Sequence, residues 1–146
     1  MDIERIVQQI KQDEGFSPKA YFDNDQFTYG YGTRAPHKDA TITKVQAEVV
    51  LRARIDMAVA EFREMFNSFN IDDVRSEAVV NMLFNLGRTK FSRFRKLIAA
   101  IHDRDWGHAA YEAFSSRWFR QLSKEGLSSI ERPERIVWEL LTGEKG

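Results

Sequence analysis

Glu14 and Asp23 stand nine residues apart in the stretch QDEGFSPKAYFDNDQFTYGYGT, residues 12–33. Two carboxyls on different local elements meet different surroundings, and that difference makes one an acid and the other a base. Thr28 follows with a short hydroxyl, and Gly30 and Gly32 bracket Tyr31. A strand glycine marks either a bend or the close approach of another group. The chain has 22 Asp and Glu, and most bare carboxyl pairs at this spacing are solvated surface, so the pair alone proves little. Other chemistries have less to work with. There is no cysteine, which excludes a thiol nucleophile, a disulfide and a cysteine-based zinc site. His37, His102 and His108 lack metal-ligand spacing, no G-x-S-x-G occurs, and no G-K-S/T follows the glycine pair.

The elements that must hold these side chains are legible in outline. Ile3, Ile6, Val7 and Ile10 fall on one face of a short helix. Gly15 suits its left-handed C-terminal residue, and Pro18 reinforces the break. Glu14 then ends the helix at the negative pole of its dipole, where the ionised carboxylate is disfavoured, as a general acid requires. Residues 20–31 are rich in Tyr, Phe and Thr and predict strands. The turn formers Asp23, Asn24 and Asp25 interrupt them and predict a hairpin, with Asp23 where its first strand meets the turn. Residues 34–40 read as a polar connector.

Thr43 and Gln46 fit a capping box, which predicts a long helix over about residues 44–68. Its stripe is Leu51, Ile55, Ala58, Phe62, Phe66 and Phe69, with Glu48, Arg52 and Asp56 paired on the other side. Residues 74–86 are apolar nearly all round and predict a buried central helix ending at Gly87. Its Asn81 and Asn85 share a face, as satisfied core amides or as amides offered to a sugar. Shorter helices are expected at about 92–102, 106–114, 116–121 and 130–141. A loop is expected at 123–129, and Pro133 in the first turn of the last helix. Trp106, Trp118 and Trp138 are expected in the core.

At 146 residues the chain suits one domain, and the rod-like helix suggests two lobes within it. Formal net charge is zero, so nucleic-acid binding is not indicated. The charge is uneven, however: residues 75–120 carry 9 Lys and Arg against 4 Asp and Glu. Arg88, Lys90, Arg93, Arg95 and Lys96 form a solvated helix face or a patch for an anionic polymer such as a cell wall. The N-terminus lacks the apolar core of a signal peptide, and no stretch approaches a membrane span.

The order Glu14-Gly15, Tyr21, Asp23, Thr28, Gly30, Gly32 resembles the catalytic segment of the phage-type lysozymes, the endolysin muramidases. Ile42-Thr43-Lys44 with Ala47-Glu48 looks like that family's lead-in to its interlobe helix. Val74-Arg75, Ala78, Asn81-Met82, Phe84 and Gly87 look like its central helix. Ser116-Arg117-Trp118, Arg132, Arg135 and Thr142-Gly143 are similar to its C-terminal pieces. Departures are Thr33 where many members have histidine, a short connector before Thr43, and Arg34, Leu97 and Glu112 at positions lining the sugar cleft.

The resemblance implies an α+β, mainly α-helical, two-lobed fold. Its parts would be a small β-hairpin lobe over about 12–45, a connecting helix over about 44–68, and a helical lobe over about 70–146 joined by the N-terminal helix 2–14. It implies hydrolysis of the β-1,4 bond between N-acetylmuramic acid and N-acetylglucosamine, lysing a host cell. Glu14 would be the acid, and Asp23 with Thr28 would orient water. Gly32, Arg34, Phe84, Asn85 and Arg132 would bind substrate, Arg132 also standing as a partner for Glu14. Asp23 favours hydrolysis over a lytic transglycosylase, which needs no water-activating carboxylate, and the full trio argues against a silent wall-binding protein. No cofactor or metal is implied. The partner is the peptidoglycan glycan strand, with neither nucleic acid nor stable membrane association, and the chain is expected as a monomer. It would wait in the host cytoplasm for a holin or other export route and act in the periplasm and cell wall.

Overall fold

The computed structural model describes residues 1–23, 25–124 and 127–146, apart from the side chains of residues 68, 123, 124 and 127–131. Among these are eight α-helices, one 3-10 turn and a three-stranded antiparallel sheet, the mainly helical α+β class expected. They form two compact units, Ile3–Met57 and Met1–Asp2 with Ala58–Gly146.

In the first unit, helix α1 (Ile3–Glu14) buries Ile6, Val7 and Ile10. It stops at Gly15, whose φ is +66° and whose N–H donates to the Lys11 carbonyl at 2.9 Å. Helix α2 (Lys44–Met65) starts at the expected capping box. The Gln46 N–H donates to Thr43 Oγ1 at 3.1 Å, and the Thr43 N–H donates to Gln46 Oε1 at 3.0 Å. Ion pairs Lys11–Glu48 (2.7 Å) and Arg52–Glu4 (2.7 Å) tie the two helices together. Strands β1 (Ser17–Asp23), β2 (Gln26–Gly30) and β3 (Thr33–Arg34) form the sheet in that order. Gly30 lies against α2, where an added Cβ would sit 3.2 Å from that of Ala47. In the connector residues 34 and 36–39 are exposed, as its polar composition predicts, and Ala35 and Ala40 are buried. The Ala40 carbonyl accepts from the Ala20 N–H on the free edge of β1.

In the second unit, helix α3 (Asp73–Leu86) is the buried helix expected, with every residue from 76 to 84 out of solvent. Asp72 caps it by accepting from the Arg75 N–H at 3.0 Å. Helices α4 (Arg88–Phe91), α5 (Arg95–His102), α6 (Trp106–Phe114), α7 (Arg117–Lys124) and α8 (Leu127–Thr142) follow, and α8 packs on α3, α6 and α7.

Five expectations are corrected. The long helix ends at Met65, so Phe69 falls in the 3-10 turn Ser68–Asn70 and is 90% exposed, while the rest of the stripe is buried. The helix expected at 92–102 is two pieces, α4 and α5, broken between Phe91 and Arg95 so that both Phe91 and Leu97 are buried. Pro133 is the seventh residue of α8 and not in its first turn. The missing N–H costs a backbone bond, and the packing of α8 on three helices outweighs it. Residues 123, 124 and 127–129 are helical instead of loop, while 125 and 126, like Asn24 of the hairpin turn, lie outside the described residues. Finally, Trp118 is in the core as expected but Trp138 is 49% exposed. It stands two residues from both Ile136 and Leu140, which are fully buried, and residues two apart on a helix do not share a face.

Candidate active site

The first unit gathers Glu14, Asp23, Thr28, Gly32 and Arg34. Glu14 is the last residue of α1, where the chain stops its helix at Gly15. Its carboxyl lies directly against Gly32, between β2 and β3. A Cβ built on Gly32 would fall 2.7 Å from Glu14 Cδ and closer still to Oε2. Gly32 also has φ +72°, a conformation that side chains disfavour. Of the two sequence readings of this glycine, bend or close approach, both hold: the backbone turns here and the carboxyl occupies the space a side chain would need.

The sheet register sets the other groups. Tyr21 pairs with Thr28, and Thr28 pairs with Arg34, so these three stand in one row across the strands. Asp23 pairs with Gln26 at the end of the hairpin and shares the Tyr21 face by the two-residue alternation of a strand. Partial burial pushes the Tyr21 phenol above its ordinary value, helped by the negative charges of Asp23 and then Glu14. Tyr21 therefore lies within electrostatic reach of both carboxylates. Thr28 is 2% exposed, and its hydroxyl has no hydrogen-bond partner among the described residues. Enclosing a hydroxyl without a partner is unfavourable, so such a group calls for an explanation beyond stability.

Arg34 is exposed and lines an open depression of about 510 Å³ on the hairpin with Asp25, Gln26, Phe27, Tyr29 and Pro36. None of Glu14, Asp23 and Thr28 lines it. The remaining candidates belong to the second unit. Phe84 is buried near the end of α3, and Asn85 beside it is half-buried and accepts from Trp118 Nε1 at 2.8 Å. Asn81 is a buried amide. Arg132 is buried on α8.

Sequence reasoning gave no role to two residues here. Tyr21 was legible, since its place two residues before Asp23 on a strand puts both on one face. Arg54 had no local signal. Its guanidinium comes from α2 and donates through Nη1 to the Gly32 carbonyl at 3.1 Å and to Thr33 Oγ1 at 3.4 Å.

A family model described as phage lysozyme matches residues 11–133 of the chain. Two proteins of Dictyostelium discoideum, named "Probable T4-type lysozyme 1" and "Probable T4-type lysozyme 2", are 23% and 24% identical to it over 170 aligned positions. Each alignment covers 97% of this chain and 96% of the relative.

Proposed function

Because the chain belongs to the phage lysozyme family, whose chemistry is lysozyme-type hydrolysis of peptidoglycan, we propose that Glu14 is its general acid and Asp23 its base. The observation that carries this reading is the seating of the Glu14 carboxyl against Gly32, in a unit where Tyr21 feels both carboxylates. Glu14 protonates the glycosidic oxygen as the β-1,4 bond between N-acetylmuramic acid and N-acetylglucosamine breaks. Asp23, as carboxylate, and the Thr28 hydroxyl orient a water that attacks the anomeric carbon from the opposite face. Room for that water between sugar and carboxylate goes with single displacement and inversion. Gly32, Arg34, Phe84, Asn85 and Arg132 contact the glycan or position the groups that do. The biological role is that of a monomeric endolysin, held in the host cytoplasm until a holin or other route admits it to the wall.

The test uses a soluble muropeptide oligomer. Glu14→Gln is expected to lower turnover by roughly 10²–10⁴-fold with an unchanged melting temperature. The wild-type product, read by proton NMR before mutarotation, is expected first as the α-anomer with a reducing muramic end. Near-normal turnover by a well-folded Glu14→Gln protein overturns the acid assignment. A β-anomer recasts Asp23 as a nucleophile, and anhydro ends mean transglycosylation.

A further inference from the structure

Gly32 is held from two directions. Its α-carbon meets the Glu14 carboxyl, and its carbonyl accepts a hydrogen bond from Arg54 Nη1 at 3.1 Å. The same nitrogen reaches the hydroxyl of Thr33, the next residue, at 3.4 Å. The acid therefore rests on a backbone whose other side is anchored to the middle of α2. Arg54 is half-buried there, and all the groups named belong to one compact unit.

A glycine at positive φ needs such an anchor. It has no Cβ to restrict rotation about its own bonds, so the peptide that follows it swings more freely than any other. If the Gly32–Thr33 peptide turned, the α-carbon packed on Glu14 would shift with it. A guanidinium donating to the carbonyl is a charge-assisted bond, stronger than a neutral one. The planar group also fixes a direction as well as a distance, which an ammonium does not.

The geometry points to Arg54 as a positioning residue for the acid: it locks the Gly32–Thr33 turn, and that turn holds the Glu14 carboxyl in place. This rests on Glu14 being the acid, but the linkage itself does not depend on turnover. It predicts that Arg54 acts on the chemical step and not on glycan binding. A displacement of about 1 Å at a reacting group is enough to cost up to 10²-fold in rate.

Arg54→Met, Arg54→Lys, Gly32→Ala and the double variant Arg54→Met/Gly32→Ala are compared with the parent. Thermal melting identifies the folded ones. Arg54→Met is expected to lower kcat between about tenfold and 10²-fold with KM unchanged, and Arg54→Lys, which keeps one donor, to recover part of the loss. Gly32→Ala puts a Cβ into the space of the Glu14 carboxyl and displaces the acid directly, so with the acid already displaced the double variant is expected to be no slower than the worse single. Unchanged kcat in a folded Arg54→Met protein overturns the proposal, as does a loss confined to KM, which would make Arg54 a substrate contact. Multiplied losses in the double variant also overturn it.

A second readout needs no activity. The side-chain carboxyl ¹³C resonance of Glu14, assigned by its loss in Glu14→Gln, is expected to move in Arg54→Met. A resonance that stays put overturns the linkage even if Glu14 proves not to be the acid. A resonance that moves while Glu14→Gln remains active sustains the linkage and sinks only the acid assignment.

Discussion

A single hydroxyl shows the tension between stability and chemistry in this site. Thr28 is enclosed between Tyr21 on β1 and Arg34 on β3, yet its hydroxyl has no partner among the described residues. Valine has the same branching without the unsatisfied oxygen. Thr28→Val is therefore expected to hold or raise stability, by up to about 1 kcal/mol, measured by denaturant unfolding. The same change is expected to lower turnover about 10²-fold, since the water is no longer oriented. A variant that loses stability and keeps activity would make Thr28 a structural residue. Gly32 shows the converse. A side chain there meets both the positive φ, which disfavours it by about 1–2 kcal/mol, and the Glu14 carboxyl.

At the level of elements, the positive stretch changed membership once the chain folded. Arg88 pairs with Glu64 of α2 through bonds of 3.0 and 3.1 Å, which removes it from the free patch. Arg117, from α7, joins instead. With Arg93, Arg95 and Lys96 it lines an open groove of about 420 Å³ that also includes Leu97 and Glu112. Four cations against one carboxylate favour an anionic polymer. Replacing Arg93, Arg95 and Lys96 by glutamine is expected to weaken adsorption to cell walls at low salt. The difference should fade as salt rises, since exposed charges are screened within about 8 Å at physiological ionic strength. Sedimentation of the protein with purified walls at several salt concentrations measures it. Parallel salt profiles for variant and parent would remove the groove from wall binding.

For the molecule as a whole, its exposed ion pairs set a pH window. Hydrogen bonds to Arg52, Lys11 and Arg88 hold Glu4, Glu48 and Glu64 below their ordinary 4.5. Their contribution is present above pH 4.5 and is lost as pH falls through the lowered values. His108 runs the other way. Its hydrogen bond to Asp105, at the N-terminus of α6, raises it above the ordinary 6.5. That contribution is complete below pH 6.5 and is lost as pH rises through the raised value. The melting temperature is expected to be highest between pH 4.5 and 6.5 and to fall on both sides. Glu4→Gln with Glu48→Gln should flatten the acid limb, and His108→Gln the alkaline limb. A melting curve indifferent to pH in the wild type would mean that these surface pairs contribute nothing measurable.

What the sequence determined by itself was local: some helix ends and burial patterns, and which residues make up the reactive stretch. The end of α1 at Gly15, the capping box at Thr43 and Gln46, and the buried run of α3 each follow from a few neighbouring residues, because caps and periodicity are short-range. The order of Glu14, Asp23 and Thr28 was legible for the same reason, and it carried the family with it. Tertiary structure decided what depends on residues far apart in the chain. Only folding brought Arg54 to the Gly32 carbonyl, removed Arg88 from the basic patch, added Arg117 to it and left Trp138 and Phe69 in solvent. It also carried α8 straight through Pro133, where the local rule would have begun the helix. Such contacts have no signature in neighbouring residues, since a guanidinium on one element meets a carbonyl on another only after both have packed.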